Sequence, residues 1–296
     1  MIVKHRPRVI VDVVKGTDPL SKLKNAVAKP TNGEETVLRV DAKGGFTEVE
    51  NTAKALLQLD LRGWKVRLYL GDNDLANVPQ EVWDVSNMEK LCLRSNQLTG
   101  LSQGMAKLKQ LKELWIGHNP FPDFPPAVCA LYSLERLFVY GCNLKRLPPA
   151  FASLQQLKEL SLEDNDFEQL PNMICEIRDL RRLVFGGNKL HSLPPSIGNL
   201  RNLVEFDLSS NSFDEFPQTL CRLEKLETLN IANNRISNIP TSLARLTQLK
   251  SINLQGNEFT EIPLIIADLP LIASLQAGGK QIPNEHWLTA AHKNVR

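Results

Sequence analysis

From residue 65 onward the apolar positions recur on a fixed period. One asparagine marks it, at Asn73, Asn96, Asn119, Asn165, Asn188, Asn211, Asn234 and Asn257. Each step is 23 residues except the 46 between Asn119 and Asn165, and Cys142 sits halfway across that gap. With this position called n, Leu, Ile, Val or Phe fill n−5, n−3 and n+2 in all nine registers. Positions n−5 and n−3 alternate with mostly polar residues, which predicts a short strand with one buried face. Position n+6 is Pro in eight registers, Pro79 through Pro263, and Ser102 in the other. Apolar residues at n+9, n+12 and n+15 predict a helical return segment. A buried Asn amide at the strand exit can both donate to and accept from the backbone of adjacent turns. One such unit cannot bury its own apolar face, but stacked units can.

The repeat reads LxxLxLxxNxFxxLPxxIxxLxx, as in LKELSLEDNDFEQLPNMICEIRD (157–179). It resembles the leucine-rich repeat (LRR) family, and the 23-residue form is similar to intracellular plant Ras-group and Scribble/Erbin-type proteins. The resemblance implies an α/β fold: a curved LRR solenoid with a parallel inner sheet, helical outer segments and an N-terminal αβ cap. The expected organisation is a capping region over 1–64, nine repeats over 65–271, and a degenerate repeat with a capping helix over 272–296. In the first part, strands are expected near 9–16 and 36–41. Helices are expected near 18–28, with Asp18 as N-cap and Pro19 first, and over Phe46–Leu61. The segment 29–34 reads as a loop. The first repeat strand is expected over Val66–Leu70. Residues 284–295 read as the closing helix, with Trp287 and Leu288 sealing the core.

The inner sheet face carries columns n−6, n−4, n−2 and n−1. It gathers Tyr69, Trp115, Phe138 and Tyr140, although the 296-residue chain has only 18 aromatic residues. Neighbouring strands lie about 4.8 Å apart, so Trp115, Phe138 and Tyr140 are expected to touch. Exposed aromatic clusters mark interfaces. These four are therefore the candidate anchors of a partner protein, and Arg94, His118, Arg136, Glu163 and Asp207 the candidate polar contacts. Glu159, Asp164 and Asp166 add to the acidity around Glu163. Column n−6 reads Arg67, Lys90, Glu113, Arg136, Glu159, Arg182, Glu205, and from Lys90 the signs alternate. A cross-strand ion-pair ladder explains that better than a recognition code.

Catalysis finds little support. Asp72, Ser95 and His118 fall in column n−1, but a triad needs His between acid and nucleophile, and here Ser95 is between. Asp164 lies about 10 Å from His118 by strand spacing. Cys129, Cys175 and Cys221 share the small-residue position n+10 and read as core fillers, whereas Cys92 is expected to point out from the inner face. The five cysteines make no CxxC pair and the five histidines no metal-ligand spacing, so neither metal nor cofactor is expected. The net charge of +2 gives no footprint for nucleic acid, and no apolar run reaches the ~18 residues of a membrane helix. The N-terminus lacks a signal-peptide pattern, and a reduced cytoplasmic setting fits the odd cysteine count.

The expected function is a non-enzymatic protein-interaction scaffold in signalling. Resemblance implies partners such as small GTPases, phosphatases or signalling complexes. Two other readings remain at this point: a translocated bacterial effector or adhesin using the same face, and an enzyme or distinct binding module in residues 1–64. The chain's initial Met and its caps favour a whole protein over a fragment of a receptor or kinase.

Overall fold

The structure is a computed structural model that describes residues 8–28, 36–260 and 263–276. The loop expected at 29–34 and the closing helix at 284–295 lie outside these residues. The chain divides into two compact units, 1–142 and 143–296.

In the first unit, β1 (Arg8–Val13), α1 (Pro19–Val27), β2 (Thr36–Ala42) and α2 (Phe46–Leu57) precede the repeats. Asp18 caps α1 as expected, accepting from the Leu20 and Ser21 amides, with Pro19 at the first position. Two elements are shorter than the sequence suggested. The chain turns after β1, where the Thr17 amide donates to Val14 and Gly16 takes φ +80°. Helix α2 ends at Leu57 rather than Leu61, because the Gln58 and Leu59 amides tighten to three-residue bonds. The repeat strands β3 (Trp64–Tyr69), β4 (Met88–Cys92), β5 (Glu113–Trp115) and β6 (Arg136–Phe138) follow. All six strands are parallel and pair in chain order.

The second unit repeats this plan with β7 (Glu159–Ser161), β8 (Arg182–Val184), β9 (Glu205–Asp207), β10 (Thr228–Asn230), β11 (Ser251–Asn253) and β12 (Ser274–Gln276). They too are parallel and in chain order. The return segments are five-residue 3₁₀ helices rather than α-helices, for example Asn172–Glu176. Each starts straight after position n+6, where Pro fixes an extended φ. Ser102 fills that place by accepting a hydrogen bond from the Gly104 amide at 3.1 Å. The spacing of three between n+9, n+12 and n+15 suits a 3₁₀ turn, and leucine-type residues at these places are buried.

The marker asparagines stitch consecutive turns together. Asn119 Nδ2 donates to the carbonyls of Leu93, Ile116 and Gly117, and its Oδ1 accepts from the Leu98 amide at 3.1 Å. The pattern recurs at Asn96, Asn188, Asn211, Asn234 and Asn257. Asn73 ties in the N-terminal elements the same way: Oδ1 accepts from Gly44 and Gly45, and Nδ2 donates to Ala42. Cys142 supplies no such acceptor. There the Phe121 amide bonds to the Asn119 carbonyl at 2.9 Å, closing a three-residue turn around Pro120.

Asn119→Ala should therefore leave buried amides and carbonyls unmatched and cost about 3 kcal/mol. Cys142→Asn should change stability by less than about 1 kcal/mol, because Phe121 already has a partner. Urea unfolding of both variants checks this. An Asn119→Ala midpoint equal to the parent's contradicts the stitching role.

Candidate interaction face

Register sets the candidate residues side by side. Tyr69, Cys92, Trp115 and Phe138 are consecutive partners across β3 to β6. Trp115 stacks on Phe138 with ring centroids 3.9 Å apart, and Tyr140 meets Trp115 edge-on at 6.4 Å. His118 packs edge-on against Tyr140 at 4.9 Å. All four aromatic anchors are half-buried. Among the described residues no ring pair joins Tyr69 to this stack. The Lys90 ammonium links them, lying 5.0 Å from both the Tyr69 and the Trp115 ring centres. Arg39, from β2, covers Tyr69 at 4.2 Å.

Glu113 holds the row in place. It receives Trp115 Nε1–H at 2.6 Å, Lys90 at 2.5 Å and Arg136 at 2.7 Å. Burial opposes its ionisation, but hydrogen bonds from Lys90, Trp115 and Arg136 outweigh it and hold the carboxyl below its ordinary value. The alternating column n−6 is thus an ion-pair ladder in each unit: Lys90–Glu113–Arg136 in the first, Glu159–Arg182–Glu205 in the second. Arg67 leaves the column and pairs with Glu89 at 2.9 Å.

Column n−2 alternates small and large in the first unit: Gly71, Arg94, Gly117, Tyr140. A Cβ on Gly71 would meet Arg94 at 3.0 Å, and one on Gly117 would meet the Tyr140 ring at 2.9 Å. Arg94 and Tyr140 therefore lie across the sheet over glycines, and the guanidinium interacts with the Tyr140 hydroxyl.

Of the nine candidate residues, Tyr69, Arg94, Trp115, His118, Arg136, Phe138 and Tyr140 belong to the first unit. Glu163 and Asp207 belong to the second. Asp207 is occupied: it accepts from the Ser209 amide and hydroxyl and from Asn230. Burial, then Asp164 and Asp207, push the Glu163 carboxyl above its ordinary value.

Column n−1 has a backbone explanation. Asp72, Ser95 and His118 all have φ between +53° and +57°, and Gly141 has +63°. This left-handed bend precedes each marker position, so short polar residues or glycine are selected there. Cys92 corrects an expectation: although its strand position faces inward, it lies between the Tyr69 and Trp115 positions and is only 6% exposed. Burial pushes all five thiols up, Cys129 to about 11. Among the described residues, no group of three or more His, Cys, Asp or Glu could hold a metal, and no helix is long and apolar enough to cross a membrane.

Sequence reasoning missed Arg39, Asp41 and Lys43 of the β2 strand and its exit. They stand at alternate positions, so one face of a strand was the available signal. Register pairs Arg39 with Arg67 and Asp41 with Tyr69, a step of 28 that escapes the 23-residue period.

Comparison with known proteins agrees with this geometry. The leucine-rich repeat family model matches residues 178–236 and 201–259. No curated protein matches the chain. An LRR protein of Leptospira interrogans is similar in structure, with TM-score 0.69, 28% identity, and coverage of 81% of this chain and 65% of that one. An internalin from Listeria monocytogenes has TM-score 0.64 and 17% identity over 94% and 93% of the two chains. The Arabidopsis thaliana receptor kinase ectodomain GASSHO1/SCHENGEN3, solved with CASPARIAN STRIP INTEGRITY FACTOR 2, has TM-score 0.61 and 24% identity over 82% and 32%. The chain thus spans just under two thirds of the Leptospira protein and about a third of the plant ectodomain. The fold is a leucine-rich repeat solenoid.

Two outcomes follow. The Glu113 carboxyl titrates lower in the folded chain than in the unfolded one. Its contribution is therefore full above the ordinary carboxylate range and is lost as pH falls through the lowered value. Glu113→Gln should flatten that part of the stability–pH profile, and an unchanged profile contradicts the assignment. In thiol labelling near pH 8, the folded protein should react far more slowly than the urea-unfolded chain, Cys92 included.

Proposed function

We propose that the protein is a non-enzymatic interaction scaffold that binds a partner protein through the inner sheet face. The observation that carries this reading is the half-buried row in which Trp115 contacts Phe138 and Tyr140 and Tyr69 is joined to them through Lys90, all before any partner is present. Large, rigid, amphipathic side chains lose little entropy on docking. Arg94, His118 and Arg136 border the row, and Glu163 and Asp207 offer polar contacts in the second unit. LRR proteins generally mediate protein–protein interaction, and the plant ectodomain above was solved with a bound factor.

An intracellular signalling role in the cytoplasm, with a small GTPase, phosphatase or signalling complex as partner, is supported by the 23-residue Ras-group-like unit and by five free thiols. The Leptospira and Listeria neighbours favour a second reading, a bacterial effector or adhesin using the same face. Detection of the protein in culture supernatant separates the two. Against an independent enzyme in residues 1–64 stands the continuity of β1 and β2 with β3, and the Asn73 bonds to Gly44 and Gly45.

Affinity capture from source-cell lysate, with parent and Trp115→Ala, Phe138→Ala double variant compared, tests the reading. Circular dichroism confirms that both are folded. The variant should lose at least about tenfold in affinity for the partner the parent retains. Equal retention contradicts the role of the face.

A further inference from the structure

Beside the aromatic row lies a depression of about 380 Å³, bounded by Arg39, Lys43, Tyr69, Lys90, Arg94 and Trp115, with the carboxylates of Asp41 and Asp72 also in its wall. Four cations converge on it. Three are matched: Arg39 with Asp41 at 3.0 Å, Lys43 with Asp72 at 3.2 Å, and Lys90 with Glu113 at 2.5 Å. Arg94 makes no ion pair within 4.0 Å among the described residues; its guanidinium hydrogen-bonds the Tyr140 hydroxyl, and Asp72 acts on it only at longer range. The missing side chain at Gly71 gives it room to lie across the sheet, and it stays exposed. The adjoining Trp115–Phe138 stack offers an apolar plate.

We propose that this depression takes the carboxylate of a Glu or Asp in an acidic segment of the partner protein, held by Arg94, while flanking apolar residues rest on Trp115 and Phe138. This deepens the interaction reading above and rests on it. Charge complementarity selects the occupant. A guanidinium presents two parallel donors to a carboxylate, and of these four cations Arg94 is the one not already matched by a carboxylate. Segments 1–7 and 277–296 carry net positive charge and are disfavoured there. Residues 1–7 hold Lys4 and Arg6, and 277–296 hold Lys280, Lys293 and Arg296 against Glu285.

The test uses three capped peptides, acetyl–Ser–Leu–Glu–Leu–Ser–amide and its Gln and Lys counterparts. Each is titrated into the full ¹⁵N-labelled chain at low salt. The Trp115 indole N–H and the Arg94 Nε–H resonances are followed. The Glu peptide should shift both, about tenfold more tightly than the Gln peptide, with the Lys peptide weakest. Added salt should weaken the Glu peptide selectively. Arg94→Gln should abolish the Glu preference, and Arg94→Lys should keep part of it, so selectivity stays measurable if one variant folds poorly.

Three peptides binding alike, no binding, or shifts elsewhere on the chain overturn the proposal. So does a concentration-dependent dimer lost in Arg94→Gln, which would make a second copy the occupant. If the peptides show no Glu preference while Trp115→Ala, Phe138→Ala still loses its partner, the interaction reading stands and this inference alone falls. If the double variant also keeps its partner, both fall.

Discussion

The fold depends on one side-chain amide used over and over. A three-residue strand has too few ladder bonds to fix its own course, and the chain must bend sharply after it. At the bend, backbone N–H and C=O groups are buried and need partners. An asparagine satisfies both kinds at once, donating to carbonyls of its own and the preceding turn while accepting from an amide of the preceding turn. Every other regularity follows from that stitch. The left-handed residue before it selects Asp, Ser, His, Asn or Gly. The Pro after it starts a short 3₁₀ return, and the leucine columns then close the core of each unit. Where the chain has Cys142 instead, Pro120 and a local turn take over the orphaned amide.

A backbone held this way acts as a ruler. Residues one period apart lie on adjacent strands in exact register, so side chains on the inner face interact in rows. In the first unit the row is aromatic and cationic. Lys90 lies between two rings, and Glu113 collects Lys90, Arg136 and the Trp115 indole. Each surface contact is worth at most about 1 kcal/mol. Their joint effect is orientational. The aromatic faces are presented in one arrangement, and a partner of the proposed kind would not have to order them.

The sequence made the repeats legible because a period of 23 with alternating apolar sites has one physical meaning. Asp18 and Pro19 marked α1 for a similar reason, since a capping carboxylate followed by Pro is a local signal. The alternating charges of column n−6 also foretold real ion pairs, because parallel register brings those residues together. What escaped was set by neighbours rather than by period. Cys92 looked exposed from its strand parity, but between the large residues Tyr69 and Trp115 in register it is only 6% exposed. The cationic rim drew Arg39 and Lys43 from outside the repeat register. The 3₁₀ form of the return segments was hidden because apolar spacing of three also fits one face of an α-helix.

The claim that the row is organised before a partner arrives has a direct readout. Trp115 Nε1–H donates to Glu113 in the free protein. Its solvent exchange can be measured by NMR, with the resonance assigned by its disappearance in Trp115→Phe. A single sharp indole resonance, exchanging far more slowly than that of a tryptophan in the unfolded chain, is the predicted result. A broadened or multiple resonance exchanging at the unfolded-chain rate would show a row that is not pre-set, and would contradict the account.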